Sequence, residues 1–316
     1  MNHVNAQSSG VTYLQLTAVR RPPECCFRGQ VEVLFTRWSI PAAMELLPVS
    51  DLPEIQAGDD IGALISDRTT LRPTDIVLVA STIVSKAEDR GADLTDFEPT
   101  DRAREIAERI GEIVGGEKDP RYAQAVLEES AEILMDAPFL LTVTHFGHIG
   151  VNAGIDRSNT GGADLLLLPE RPSESADRIR SGLPGQNPVI VTDTCGRPFR
   201  HGQVGVAIGW AGMPASRDWR GLTDRDGREL HVTVESVVDE LAGAANLVGG
   251  EGDDGIPVVI ARGVEIDAYD GSQALFRDED TDFVRAALAS WNYDRQPVQI
   301  RRRECPDRHH FCTLRG

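Results

Sequence analysis

The stretch from Val234 to Gly263 fixes the order helix, glycine loop, strand, and that order excludes the commonest use of a glycine-rich loop. Apolar Val234, Val237, Val238, Leu241, Ala245 and Val248 recur at helical spacing and stop at Gly249-Gly250, which predicts an amphipathic helix with a glycine at its C-terminal cap. The acidic loop GGEGDDG follows over 249–255, and PVVIARG over 257–263 reads as a strand. Within the loop, Gly250, Gly252 and Gly255 match the G-x-G-x-x-G spacing of dinucleotide sites. A dinucleotide loop, however, follows a strand and opens a helix, so that free N–H groups and the positive helix pole face the phosphates. Here the loop lies beyond a helix C-terminus, whose negative pole favours cations, and Glu251, Asp253 and Asp254 add acids. The spacing is therefore no Rossmann fingerprint, and the chain is expected to be mixed α+β rather than a doubly wound sheet.

Other segments agree with that class. The run IVLVA over 76–80 follows the turn-like Arg72 to Asp75, stops at Ser81-Thr82, and predicts a buried strand. Ala103, Ile106, Ala107 and Ile110 predict a helix over 100–111, with Thr100 as N-cap and Gly111 as its stop. Asp119-Pro120 opens a second helix, expected to run through Val126, Leu127, Ile133 and Leu134. Strands at 139–143 and 149–151 form a hairpin around Phe146-Gly147, and VIVT over 189–192 is a strand that delivers Asp193 at its C-terminal end. There is no internal repeat, no Walker A sequence, and no apolar run near the ~20 residues of a membrane span.

Charge decides which partners are plausible. The net charge is −18, yet residues 1–43 hold four Arg against two Glu and residues 293–316 hold six Arg against three acids, so the body between them carries the acidic excess. Such a field repels nucleic acid and anionic lipid, so neither is an expected partner. Lys86 and Lys118 are the only lysines, a bias that suits a salt-adapted surface. Four of the five cysteines (Cys25, Cys26, Cys305, Cys312) lie in the flanks, which implies no disulfide framework. With no secretory signal, the expected location is cytoplasmic. Three regions are expected: an N-terminal extension over 1–43, disordered or the product of a mis-assigned start with Met44 as the alternative; a catalytic body over 44–292; and a basic tail over 293–316.

Several segments can carry chemistry. NAGIDRSN (152–159), TDTCGRPFR (192–200) and GGEGDDG each place an acid in a turn rich in Gly, Asn or Thr. Hard divalent cations take oxygen ligands, so Asp156, Asp193 and Glu251, with the Thr194 hydroxyl, would make a Mg²⁺ or Mn²⁺ site; equally, they are turn acids on an acidic protein. Lys86, retained where lysine is nearly absent, would supply a point charge to a phosphate beside Ser81 and Thr82, or is a surface cation in a loop. Arg197 and Arg200 would hold anionic substrate groups by bidentate contacts, or pair with nearby acids. His145 and His148 flank the hairpin turn as metal ligands or as polar turn residues. The same ambiguity covers Cys305, His309, His310 and Cys312 in the tail.

Taken together, LLPVSDLPEIQAGDDIGALI, DIVLVASTIVSKAE, QAVLEESAEIL, GHIGVNAGIDRSN, VTDTCGRPFRHGQVGVAIG and DWRGLTDRDGRELHVTVESVVDELAGAANLVGGEGDDGIPVVIARG resemble the coenzyme F-420-0:L-glutamate ligase family over roughly residues 46 to 290. The resemblance implies a GTP-dependent ligase that joins L-glutamate to the lactyl carboxylate of coenzyme F-420-0 and then adds a second, γ-linked glutamate through an acyl phosphate. It implies that Leu52, Pro53, Glu54, Ile55, Ser81, Thr82, Lys86, Asn159 and the run Gly249, Gly250, Glu251, Gly252, Asp253, Asp254, Gly255, Ile256 bind GTP. Asp156, Asp193, Thr194 and Glu251 would hold two divalent ions, with K⁺ as a further ion. It also implies a two-lobed fold in an intertwined homodimer. Two other classes fit the same acids: a metal-dependent nucleotide phosphohydrolase, and a non-catalytic protein that binds GTP or a deazaflavin.

Overall fold

The computed structural model describes residues 43–264, 266 and 271–290. The expectations for the two flanks, including Cys305, His309, His310 and Cys312, lie outside the described residues. The first half of the chain contributes β1 (Glu45–Pro48), α1 (Ile61–Arg68), β2 (Ile76–Ala80), α2 (Ser81–Ala87), β3 (Gly91–Ala92), α3 (Asp101–Val114), α4 (Pro120–Glu128), β4 (Ser130–Met135), β5 (Leu141–Thr144) and β6 (Ile149–Val151). The second half adds β7 (Leu165–Leu166), α5 (Pro172–Gly182), β8 (Val189–Gly196), β9 (Gln203–Ala211), β10 (Ser216–Asp218), β11 (Val234–Ser236), α6 (Val237–Gly249), β12 (Val258–Arg262), β13 (Gly271–Ser272) and α7 (Phe283–Ala289). The fold is mixed α+β, and no described helix is long and apolar enough to cross a membrane.

β2 explains the architecture. Ile76, Val77, Leu78 and Val79 are all at most 1% exposed, so this strand has no wet face and must be covered on both sides. It is the middle strand of a five-stranded sheet ordered β1-β12-β2-β8-β9, antiparallel except for the parallel pair β2 and β8. Alternate residues serve two cores, as the two-residue period of a strand requires. Val77 and Val79 pack with Ile61 and Ile65 of α1, Ile83 and Val84 of α2, and Ala176 and Ile179 of α5. Ile76 and Leu78 pack on the other face with Val238, Leu241, Ala242 and Ala245 of α6. A third core joins α3 and α4 to Leu140, Leu165 and Leu167, beside the small antiparallel sheet β4-β5-β6.

The structure corrects several boundaries. α3 passes Gly111 and ends at Val114 with Gly115 as its cap. A Cβ at Gly111 would lie 2.8 Å from the Gly116 carbonyl, so this glycine permits close packing rather than stopping the helix. α4 keeps its expected Asp119 cap and Pro120 but ends at Glu128, and Ile133 and Leu134 belong to β4, which pairs with β5. Long-range pairing outweighs helical spacing there. β8 continues past Asp193 to Gly196 because β9 pairs with it along its whole length, with one register shift between Val191 and Thr192. Val234 leaves the last predicted helix for β11, which pairs with β10.

One polar clasp sits at the sheet's edge of burial. Asp75, fully buried just before β2, accepts from Arg262 Nε (2.8 Å) and Nη2 (2.7 Å) at the end of β12, and from the Arg72 backbone N–H (2.8 Å). Asn187 Nδ2 donates to the Arg72 and Asp75 carbonyls, which ties the start of β8 to the same point. Burial pushes the Asp75 carboxyl up, but the Arg262 and Arg72 contacts outweigh it and hold the group below the usual carboxylate range. Removing one partner of a buried ion pair leaves the other uncompensated. Arg262→Ala is therefore expected to destabilise the fold by about 3–5 kcal/mol, read as a lower urea midpoint at unchanged slope; a wild-type midpoint would show that the clasp carries no stability.

Candidate active site

The parallel pairing of β2 and β8 builds the centre of the site. Ala80 lies opposite Thr192, so the next residue on each strand, Ser81 and Asp193, come side by side. The Ser81 hydroxyl, buried at the first residue of α2, donates to Asp193 Oδ1 at 2.9 Å. Asp156 approaches from a second segment, held by paired backbone hydrogen bonds with Leu166 (3.0 and 2.9 Å). Glu251 comes from the loop that follows α6, whose cap Gly250 has a positive φ of 70°.

Their electrostatics show that the three acids share one neighbourhood. Burial, followed by the negative charges of Asp156 and Glu251, raises the Asp193 carboxyl to about 7 against the opposing Ser81 hydroxyl and Thr194 N–H. Burial and then Glu251 raise Asp156 as well. The residues lie within electrostatic reach rather than at ligand-bond distances: among the described residues no three His, Cys, Asp or Glu side chains are gathered tightly enough to hold a metal ion. Thr194 contributes its backbone N–H to Asp193.

A second group gathers around Lys86. This residue lies in α2 rather than in a loop, and its ammonium, 13% exposed, pairs with Glu54 Oε1 at 2.5 Å. The contact joins the Leu52–Ile55 segment to the helix that carries Ser81 and Thr82. Gly161, shortly after Asn159, packs on the Lys86 stem, where a Cβ would meet Cε at 3.8 Å. In the acidic loop, Gly249 and Ile256 are partly covered, whereas residues 250–255 are exposed. Arg197 and Arg200 lie exposed in the turn between β8 and β9, where Arg197 donates to the Gly202 carbonyl at 3.2 Å.

The two histidines part company. His148 is buried against Phe146 and Phe276, and burial lowers its pKa to about 4 despite the nearby Asp239. His145 is exposed, with Nε2 2.9 Å from the Glu128 carbonyl.

Against this geometry, the sequence model for the family described as F420-0:Gamma-glutamyl ligase matches residues 50–263. The chain belongs to that family. It is 64% identical over 251 residues to the coenzyme F420:L-glutamate ligase of Halobacterium salinarum, covering 79% of this chain and 99% of that protein. The proteins of the same name from Archaeoglobus fulgidus and Methanosarcina mazei are 48% and 42% identical over 249 and 252 residues, covering 78% and 77% of this chain and 98% and 96% of their own lengths. The acids, the Ser81 hydroxyl and the Lys86 pair all fall inside the span that the gamma-glutamyl ligase family matches.

One residue at the centre was not singled out from the sequence. Gly154 has φ 68°, and a Cβ there would lie 2.5 Å from Leu168 Cδ1 and 3.6 Å from Asp193 Oδ2. The turn Asn152-Ala153-Gly154 has positive φ at all three residues, and the Asn and Gly in it are the signal the sequence offered.

The raised Asp193 carboxyl has a consequence for stability. Because its folded-state pKa of about 7 stands above the usual 3.8, the native state holds the proton more tightly. This contribution is fully present below the unfolded pKa and is lost as pH rises toward 7. In metal-free protein, the thermal midpoint of wild type should fall relative to that of Asp193→Asn between about pH 4 and pH 7; parallel curves would remove the raised carboxyl from the account.

Proposed function

We propose that this chain joins L-glutamate to the lactyl carboxylate of coenzyme F-420-0, and then adds a second glutamate through a γ-linkage, with GTP converted to GDP and phosphate. The observation that carries this reading is the Ser81–Asp193 hydrogen bond, with Asp156 and Glu251 from two further segments within electrostatic reach of it, inside the span matched by the family.

The chemistry demands such a place. A carboxylate is a poor acylating agent because its oxygen is a poor leaving group, so the γ-phosphoryl group of GTP is first transferred to the lactyl carboxylate. The glutamate amine then attacks the acyl carbon, the C–N bond forms, and phosphate departs with the acyl C–O bond broken. No protein nucleophile is required. In this reading Ser81, Thr82 and Lys86 face the phosphates, while Leu52, Pro53, Glu54, Ile55, Asn159 and the loop from Gly249 to Ile256 hold the rest of the nucleotide. Lys86 would exchange the exposed Glu54 carboxylate for a phosphate oxygen.

The donor set suits hard divalent cations, since it is made of oxygen atoms, and burial and nearby negative charge raise Asp156 and Asp193 where no protein cation among the described residues answers them. Asp156, Asp193, Thr194 and Glu251 would hold two Mg²⁺ or Mn²⁺ ions, with K⁺ as a further ion. When bound, such ions supply the positive charge that lets anionic donor and acceptor approach. Arg197 and Arg200, on the exposed hairpin, would receive the phosphodiester of the acceptor. A two-lobed homodimer, with strands shared between subunits, completes the proposed assembly, and the cytoplasm is its proposed location.

The test is turnover. Phosphate release from GTP should require coenzyme F-420-0, L-glutamate and Mg²⁺ or Mn²⁺ together, and mass spectrometry should show the added glutamyl amide. Asp156→Ala and Asp193→Ala are each expected to cost about 10²-fold or more in turnover, the scale set by losing a preorganised electrostatic group. Glutamate-independent phosphate release with no new amide would instead identify a phosphohydrolase, and metal-independent binding without turnover a non-catalytic protein.

A further inference from the structure

We propose that L-glutamate is held in the open cavity of about 520 Å³ between the end of α4, the β5–β6 turn and the segment after β7, with Arg90 and Arg171 on its two carboxylates. This rests on the ligase reading and assigns the amino-acid subsite within it.

The lining has the required chemistry. A dicarboxylic amino acid carries two anionic groups and one cationic group on a short apolar stem, so its site needs both charge signs and some apolar wall. The cavity supplies Arg90 and Arg171, the acids Glu128, Glu129 and Glu170, and the apolar Phe146 and Leu168. Its volume falls within the range of about 300–1,000 Å³ usual for small-molecule sites.

Arg90 is preorganised with one arm to spare. Its Nε donates to the Leu168 carbonyl at 3.0 Å and its Nη2 to Glu129 Oε2 at 2.6 Å, which fixes the guanidinium plane. Nη1 meets only Glu170 among the contacts seen, at 3.4 Å, and that acid is 68% exposed. A ligand carboxylate would replace this long contact at small cost. Arg171, 68% exposed, pairs locally with Glu174 at 3.0 and 3.2 Å and can turn to a ligand without breaking a tertiary contact.

The cavity also backs onto the acids. Ala153 and Leu168 line it, and beside them stands Gly154, where a Cβ would clash with Leu168 Cδ1 at 2.5 Å and lie in ordinary contact with Asp193 Oδ2 at 3.6 Å. The segment that bridges Asp156 through Leu166 continues two residues later into the cavity wall at Leu168. One residue, Gly154, thus separates the wall of this cavity from Asp193, which puts a bound amine on the side from which the acyl phosphate would be attacked.

Steady-state rates with L-glutamate varied at saturating GTP, metal and coenzyme F-420-0, together with equilibrium binding of labelled L-glutamate, test the assignment in Arg171→Ala and Arg90→Lys. Losing a charge-assisted contact or its fork geometry should raise the KM and the dissociation constant for glutamate about tenfold or more, with the KM values for GTP and coenzyme F-420-0 unchanged. The preference for L-glutamate over L-glutamine should fall in parallel. Folded variants with wild-type glutamate KM and binding would overturn the assignment while leaving the ligase reading intact. So would a raised KM for the acceptor alone, which would place the growing glutamyl tail in the cavity. A wild-type enzyme that forms no amide would overturn the ligase reading and this inference with it.

Discussion

Burial of β2 on both faces is the constraint from which the rest of the structure follows. Four successive apolar residues leave no face for water, so the strand must lie inside a sheet with helices above and below. That requirement draws α1, α2 and α5 to one side and α6 to the other, and it brings β8 alongside in parallel register. The first polar residue after the strand is Ser81. Emerging from a fully buried strand straight into a helix, its hydroxyl has few possible partners, and parallel pairing puts Asp193 beside it. A packing requirement thus fixes the position of a carboxylate whose chemistry has nothing to do with packing.

The acids themselves work against the fold. Asp193 and Asp156 are both shifted upward by burial and by negative neighbours, which means that their ionised forms are held at a cost in the free protein. Ser81 and the Thr194 N–H offset part of that cost, yet the balance still leaves Asp193 near neutrality. Elsewhere, buried charge is handled differently: Asp75 is answered by a two-point guanidinium contact and its pKa falls. The contrast separates a structural carboxylate from carboxylates kept without a protein cation. Sites of the second kind are where function is expected to outweigh stability.

Local chemistry made much of the frame legible in the sequence. Thr100 and Asp119 cap the helices expected of them, Pro120 opens α4, and the hairpin turns at Phe146-Gly147. The misreadings share a cause. Ile133 and Leu134 fit a helical period and were drawn into β4 by pairing with β5, and Asp193 lies within β8 because β9 extends the ladder. The β5 strand was expected, but neither its pairing with β4 nor the strand β9 is visible from a local window. The acids Asp156, Asp193 and Glu251 were legible as residue types, although Asp193 lies within β8 rather than in a turn, and their proximity came only from the fold. Arg90 gave no signal, since an arginine in an acidic chain looks like any other until its neighbours Glu129, Glu170 and the Leu168 carbonyl are known.

The sign of charge along GGEGDDG gives the last step. A glycine loop that met phosphates directly would follow a strand and present a positive helix pole, and this loop lies at the negative pole, because α6 ends at it. Of the loop's acids, Glu251 is the one whose negative charge bears on Asp156 and Asp193. Burial and neighbouring negative charge raise Asp156 and Asp193, so this cluster repels a bare nucleotide and favours a cation. On the proposed reading, the acidity that disqualifies the loop as a Rossmann site is what would suit it to a phosphate carried by a divalent cation, with glycine keeping the backbone narrow enough for a close approach.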